Sequence, residues 1–142
     1  MKIETGLSIP VERNGEHVGS LHFNPDDVCF VEHVYGLIGE LEQAEKAYEA
    51  KAKELEADKA VDEYGIPKNI RARLQFLREV CEDLYAKIDT VFGAGTSEMV
   101  FGGALSLSAI EQFFDGLAPH FEQVRADKMA PYLSESKRAL TK

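Results

Sequence analysis

The sequence predicts an α+β fold, mostly α: an N-terminal β-hairpin, then a long antiparallel helical hairpin, then a kinked C-terminal helix. Three observations carry this. Apolar residues alternate on the approach to Asn14-Gly15, two long stretches repeat apolar residues every three or four positions, and Tyr64-Gly65-Ile66-Pro67 breaks the chain between them. At 142 residues and 44% hydrophobic composition, the chain (1–142) fits one domain with a core of its own.

Residues 1–23 read as the β-hairpin. Ile3, Leu7, Ile9 and Val11 occupy alternate positions, interrupted at Thr5, as a half-buried strand requires. Asn14-Gly15 suits a type I′ turn because both residues tolerate positive φ. The return strand, Glu16 to Phe23, carries Val18, Leu21 and Phe23, and its imperfect alternation leaves room for a bulge. Pro10 has no N–H to donate and suits an edge strand. A two-stranded ribbon is barely stable alone, so it must lie on something or pair with another chain.

The helical hairpin spans 25–92. Asn24 is the expected cap, Pro25 sits in the first turn, and Asp26 and Asp27 favour the positive end of the helix dipole. Val31, Val34, Ile38, Leu41, Tyr48, Ala52 and Leu55 then step by three or four, with Glu45 filling one seam position. This helix is expected to reach about Lys59, a length of roughly 50 Å. Its second half, Glu40 to Glu63, is rich in Glu, Lys and Ala, and projects or frays unless a partner covers it. The second helix starts near Pro67 or Asn69. Ile70, Leu74, Leu77, Cys81, Leu84, Ile88 and Val91 form its stripe, Phe76, Val80, Tyr85 and Phe92 flank it, and Gly93 stops it.

Residues 93–107 read as a Gly-rich loop containing Met99, Val100 and Phe101. An apolar loop is costly to leave in water, so it folds over the bundle or docks on a partner. The C-terminal helix spans 108–130. It starts at Ser106 or Ser108, with Ser108-Ala109-Ile110-Glu111 as a capping box, and it buries Ile110, Phe113, Phe114, Leu117, Phe121 and Val124. Pro119 predicts a kink, or two helices meeting near Leu117. Pro131 ends the regular structure, and 134–142 read as a loose tail.

A net charge of −9 repels phosphate backbones, which argues against nucleic acid as a partner. Lys137, Arg138 and Lys142 read as a charged terminus. No apolar run approaches the roughly 18 residues of a membrane span. The N-terminal residues lack the apolar core of a signal peptide, so a cytoplasmic address is expected. Cys29 and Cys81 are too few for a disulfide framework and read as packed thiols. Cys29 and His33 lie one helical turn apart, and Cys81 could join them, but four metal ligands are not identifiable. The carboxylates Glu40, Glu42, Glu79 and Glu82 lack the Glu-x-x-His pairing of a di-iron bundle and read as a solvated face. Gly93-Ala94-Gly95-Thr96-Ser97 lacks the Gly-Lys-Ser/Thr ending of a phosphate loop and follows a helix. No catalytic residue, metal or cofactor is assigned.

Several stretches, taken in order, carry a resemblance. Phe23-Asn24-Pro25-Asp26-Asp27 follows a short hairpin. Phe92-Gly93-Ala94-Gly95-Thr96-Ser97 leads into Phe101-Gly102-Gly103, and Phe113-Phe114-Asp115-Gly116-Leu117-Ala118-Pro119 precedes Tyr132. In this order the chain resembles small phage and prophage proteins of Gram-positive bacteria, encoded among tail genes and akin to tail assembly chaperones. The resemblance implies a non-catalytic, cytoplasmic protein of the bacterial host. It implies binding to tape-measure and tail-tube proteins before the tube polymerises, and for many such proteins a longer frameshifted form. The alternatives are a structural virion or self-assembling protein, with homo-oligomers, and then a metal protein or enzyme. Apolar character places the expected partner contacts at Met99, Val100, Phe101, Phe113, Phe114, Tyr48 and Leu55.

Overall fold

The computed structural model describes the backbone of residues 1–124 and the side chains of 1–120. The expected stop at Pro131, the helix as far as 130 and the segment 134–142 lie outside the described residues. The elements are β1 (Leu7–Arg13), β2 (Glu16–Phe23), α1 (Val28–Ala57), α2 (Ile70–Phe92), α3 (Thr96–Phe101) and α4 (Leu107–Val124). The fold class is the expected one: an antiparallel hairpin followed by helices.

In the ribbon, Leu7 pairs with Phe23, Ile9 with Leu21 and Val11 with Gly19. Glu12 then pairs with His17, so Val18 is the extra residue of a bulge. Asn14 and Gly15 both hold positive φ, 54° and 84°, as a type I′ turn demands. Ile3 lies before the strand and is exposed, so the alternation starts at Leu7.

Helix α1 starts later than Asn24 and Pro25 suggest. Asn24 to Asp27 form a turn, in which the Asp27 N–H donates to the Asn24 carbonyl at 3.1 Å and Asn24 Oδ1 accepts from the Asp26 N–H. Pro25 takes the second turn position, where its fixed φ fits. Asp27 is the cap: its Oδ1 accepts from the Cys29 N–H at 3.0 Å. The seam of α1 keeps Val34, Leu41, Tyr48, Ala52 and Leu55 of the expected stripe, but Phe30, Leu37 and Ala44 replace Val31, Ile38 and Glu45. Phe30 and Leu37 are buried, and Leu41, Ala44, Tyr48, Ala52 and Leu55 are half-buried, whereas Ile38 and Glu45 are exposed.

Helix α2 runs between Asn69 and Gly93, as expected. Its flank, rather than its stripe, meets the outer half of α1. The Phe76 ring packs edge-on against Tyr48, with centroids 6.2 Å apart, and the Tyr48 hydroxyl donates to the Asp83 carboxylate. Lys87 Nζ also donates to Asp83. At the far end, Asn69 Nδ2 and Arg73 donate to the Leu55 carbonyl, satisfying the end of α1.

Among the described residues the core lies at the base of the helical hairpin in two clusters. Leu21, Phe23, Phe30 and Leu117 form one; Cys81, Ile88, Phe101 and Ile110 form the other. Phe92 and Phe113 pack against both, with their rings edge-on at 5.8 Å. Cys81 and Ile88 of the α2 stripe therefore face α3 and α4.

The Gly-rich loop is itself partly helical, a correction to the sequence reading. Asp89, near the end of α2, accepts from the Ser97 N–H at 2.7 Å and from Ser97 Oγ at 2.9 Å. That carboxylate supplies the cap which Gly95 lacks. Gly102 ends α3 at φ 63°, and a Cβ there would run into the Arg13 guanidinium, which donates to the Met99 carbonyl at 2.8 Å. Gly19 in β2 likewise leaves space for the Met99 side chain. Ser106, not Ser108, caps α4: its Oγ accepts from the Ala109 N–H at 3.2 Å. Pro119 sits inside one helix, so of the two expectations there, a kink or two helices meeting near Leu117, the second does not hold.

Two predictions follow from this packing. Gly102→Ala adds left-handed strain and displaces Arg13, so it should lower unfolding stability by about 1–2 kcal/mol in urea titrations. The second concerns pH. Burial and then the Asp83 carboxylate push the Tyr48 hydroxyl up from 10.0 to about 12, and burial raises the Cys81 thiol above 9.0. A raised pKa contributes stability that is full below the unfolded value and is lost as pH rises through the folded one. Hydrogen bonds from Lys87 and then Tyr48 hold Asp83 below 3.8, so its contribution is full above that pH and is lost as pH falls. The urea midpoint should be level through neutral pH and decline as pH rises past 9.0 towards about 12, with Tyr48→Phe removing part of that alkaline decline.

Candidate protein-binding surface on the helical arm

Among the described residues, the covering elements reach only the base of the helical hairpin. On α1 the core clusters take in Phe30 and Val34; on α2 they take in Cys81 and residues beyond it. The outer halves of α1 and α2 therefore form a two-helix arm. Its tip is ordered by its own hydrogen bonds. Asp62 Oδ1 accepts from the N–H groups of Tyr64 at 2.8 Å and Ile66 at 3.0 Å. Val61 and Pro67 form a β-bridge, and the Lys68 N–H donates to the Ala60 carbonyl at 2.9 Å.

This frame displays apolar side chains outward. Tyr64 is 79% exposed, Val61 52% and Ile66 45%, far more than an apolar loop folded onto a core would leave in water. Leu74 and Leu77, on the α2 stripe just ahead of buried Cys81, are 56% and 42% exposed. At the other end of the bare stretch, Leu105 and Leu107 are also exposed.

The residues expected to make partner contacts are placed differently. Phe101 is buried, stacked on Tyr85 with centroids 4.5 Å apart, so the exposure that suggested a contact role is absent there. Met99 is half-buried beside Gly19, and Val100 packs on the Cys81 cluster. Phe113 and Phe114 are half-buried and pack on each other at 5.4 Å. Tyr48 and Leu55 are half-buried between α1 and α2, where Tyr48 holds Asp83 and the Leu55 carbonyl takes the Asn69 and Arg73 donors. The exposed set of Val61, Tyr64, Ile66, Leu74 and Leu77 escaped the sequence reading. Tyr64 and Ile66 read there as a helix break, and the two leucines as seam. The signal available was Phe76 and Val80, a second apolar series that could occupy the seam in their place.

The thiols are separated. Cys29 is exposed at the start of α1 and Cys81 is buried in the core, so Cys81 does not join Cys29 and His33. Among the described residues no three His, Cys, Asp or Glu side chains gather as a metal site would need. Among the same residues no helix is long and apolar enough to cross a membrane.

This division between core and display predicts a contrast between two substitutions. Phe101→Ala should cost about 3–5 kcal/mol, as for a buried ring. Tyr64→Ala should stay within about 0.5 kcal/mol, as for a surface position. Thermal or urea unfolding of the two variants side by side checks both values.

Comparison with curated proteins and with solved structures found no match. A family model does match, over residues 15–140, a range that begins after β1 and takes in β2 and all the helices. The chain belongs to that family, described as a family of unknown function (DUF6673).

Proposed function

We propose that the protein works by binding other proteins without catalysing a reaction, as a phage or prophage tail assembly chaperone that holds tape-measure or tail-tube proteins in the bacterial cytoplasm. One observation supports binding above the others: an ordered arm tip and the adjoining α2 stripe hold Val61, Tyr64, Ile66, Leu74 and Leu77 in water. A backbone fixed in place before association loses little conformational entropy on binding, and an exposed Tyr is a common anchor at interfaces. The tail-protein partner comes from the resemblance carried by Phe23 to Asp27, Phe92 to Gly103 and Phe113 to Pro119. A tape-measure helix exposes apolar stripes that would otherwise aggregate, and an apolar surface on an acidic, soluble protein can cover them.

The self-assembling alternative draws support from the ribbon. Among the described residues the sheet has two strands, so its outer backbone edges are open to pairing.

Co-expression with tail-tube and tape-measure fragments from the same genome, followed by pull-down and light scattering, tests the reading. The expected result is a soluble complex in which the partner aggregates less than when expressed alone. A defined homo-oligomer that ignores both partners would transfer support to the self-assembling alternative.

A further inference from the structure

The α2 stripe is one line of residues with two different fates. Cys81 and Ile88 are 2% and 0% exposed beneath α3 and α4, whereas Leu74 and Leu77, on the same line, are bare. Helix α4 runs in the same direction as α2, since Ser106 just ahead of it donates to the Tyr85 hydroxyl while Phe113, further along, meets Phe92. Leu107 lies one turn ahead of Ile110 and is exposed at the edge where the cover stops. The bare face is thus continuous with an interface that the chain makes with itself.

Charge borders this face differently on its two sides. In an antiparallel helix pair, the residue after each facing position falls on the same side of both helices. Leu74 and Leu77 follow Arg73 and Phe76, and Glu45 and Glu49 follow Ala44 and Tyr48, so all four share one face. The opposite face is the shallow cleft lined by His33, Gly36, Glu40, Ala86 and Thr90. The bare leucines therefore lie between an α1 row of Glu45, Glu49, Lys53 and Glu56, acidic on balance, and an α2 edge that carries Arg71 and Arg78, the latter paired with Glu82 at 3.4 Å.

Resting on the protein-binding reading above, we propose that this face docks an amphipathic helix of a partner protein, laid along α2 in continuation of α4. Its leucine-type stripe would cover Leu74 and Leu77, its acidic flank would meet Arg71 and Arg78, and its basic flank would meet Glu45 and Glu49. A second copy fits worse. Face to face with the arms opposed, the glutamates meet their own counterparts; with the arms aligned, the ribbon and α4 of one copy occupy the place of the other's.

The test uses the full chain and a labelled synthetic helix of about 20 residues, about 30 Å long. It carries leucines at three- and four-residue spacing, Glu along one flank and Lys along the other. Fluorescence anisotropy should show binding that a scrambled peptide of the same composition lacks. Leu74→Gln with Leu77→Gln keeps helix propensity and should weaken binding by about tenfold or more. Equal affinity for the double variant, or no binding to the wild-type chain, overturns the proposal. So does a concentration-dependent dimer that the double variant abolishes. Peptide failure alongside an intact tail-protein complex would sink this surface and leave the chaperone reading standing; peptide binding without any tail-protein complex would do the reverse.

Discussion

The contact between Phe92 and Phe113 is the joint on which the rest of the molecule depends. Each ring packs against both core clusters, and no other described side chains do so. The ribbon reaches the helices through Phe23, whose ring meets Phe30 at 5.3 Å and Phe92 at 5.9 Å. Helix α3 reaches the joint through Phe101, 5.7 Å from Phe113. A two-stranded ribbon and a six-residue helix have no stability of their own. Both are ordered by rings that converge where α2 ends. Each aromatic pair adds about 0.5–1.5 kcal/mol beyond the area it buries, so loss of either joining ring would be felt in both clusters.

That joint sits at one end of a long hairpin, and geometry does the rest. A helix of 30 residues is about 45 Å long, and the ribbon, α3 and α4 cover only its base. Beyond that cover the arm depends on the Tyr48–Phe76 contact, buried Val80 and the polar groups that close the end of α1. Arg73 and Asn69 reach back from α2 to the last carbonyls of α1, so those groups have partners where the apolar seam thins. Order at the tip comes from hydrogen bonds, which leaves Val61, Tyr64 and Ile66 without a packing role.

Much of the fold was legible in the sequence, because its signals were local. Asn14-Gly15 and Gly93 mark their boundaries by side-chain size, and Ser106, one of two candidate starts of α4, marks its own by capping chemistry. The phase of the α1 seam was not legible. Phe30, Val34, Leu37 and Leu41 interleave with Val31, Val34, Ile38 and Leu41, and the two series share two members. Choosing between them required knowing which side the ribbon and α4 would cover, although a charge at Glu45 against a small residue at Ala44 pointed the right way. Helix α3 was hidden for a related reason. Its cap comes from Asp89, eight residues before Ser97, so the segment reads as glycine punctuation until α2 is in place. Pro119 left two outcomes open, a kink or a second helix; it removes one donor, and α4 continues through it as one helix.

The candidate surface was hardest to read because exposure is a property of what fails to arrive. Ile70 to Val91 is one unbroken apolar series in the sequence, and nothing local distinguishes Leu74 from Ile88. The difference arises from length: α2 extends past the start of α4, and the series outruns its cover. An acidic chain tolerates this, since like charge discourages unspecific association while a short apolar strip stays available. Selection for stability alone would favour polar residues at Leu74 and Leu77, because burial contributes nothing at sites that remain in water. A docked helix would supply there the burial that α3 and α4 already give Cys81 and Ile88 further along the same stripe.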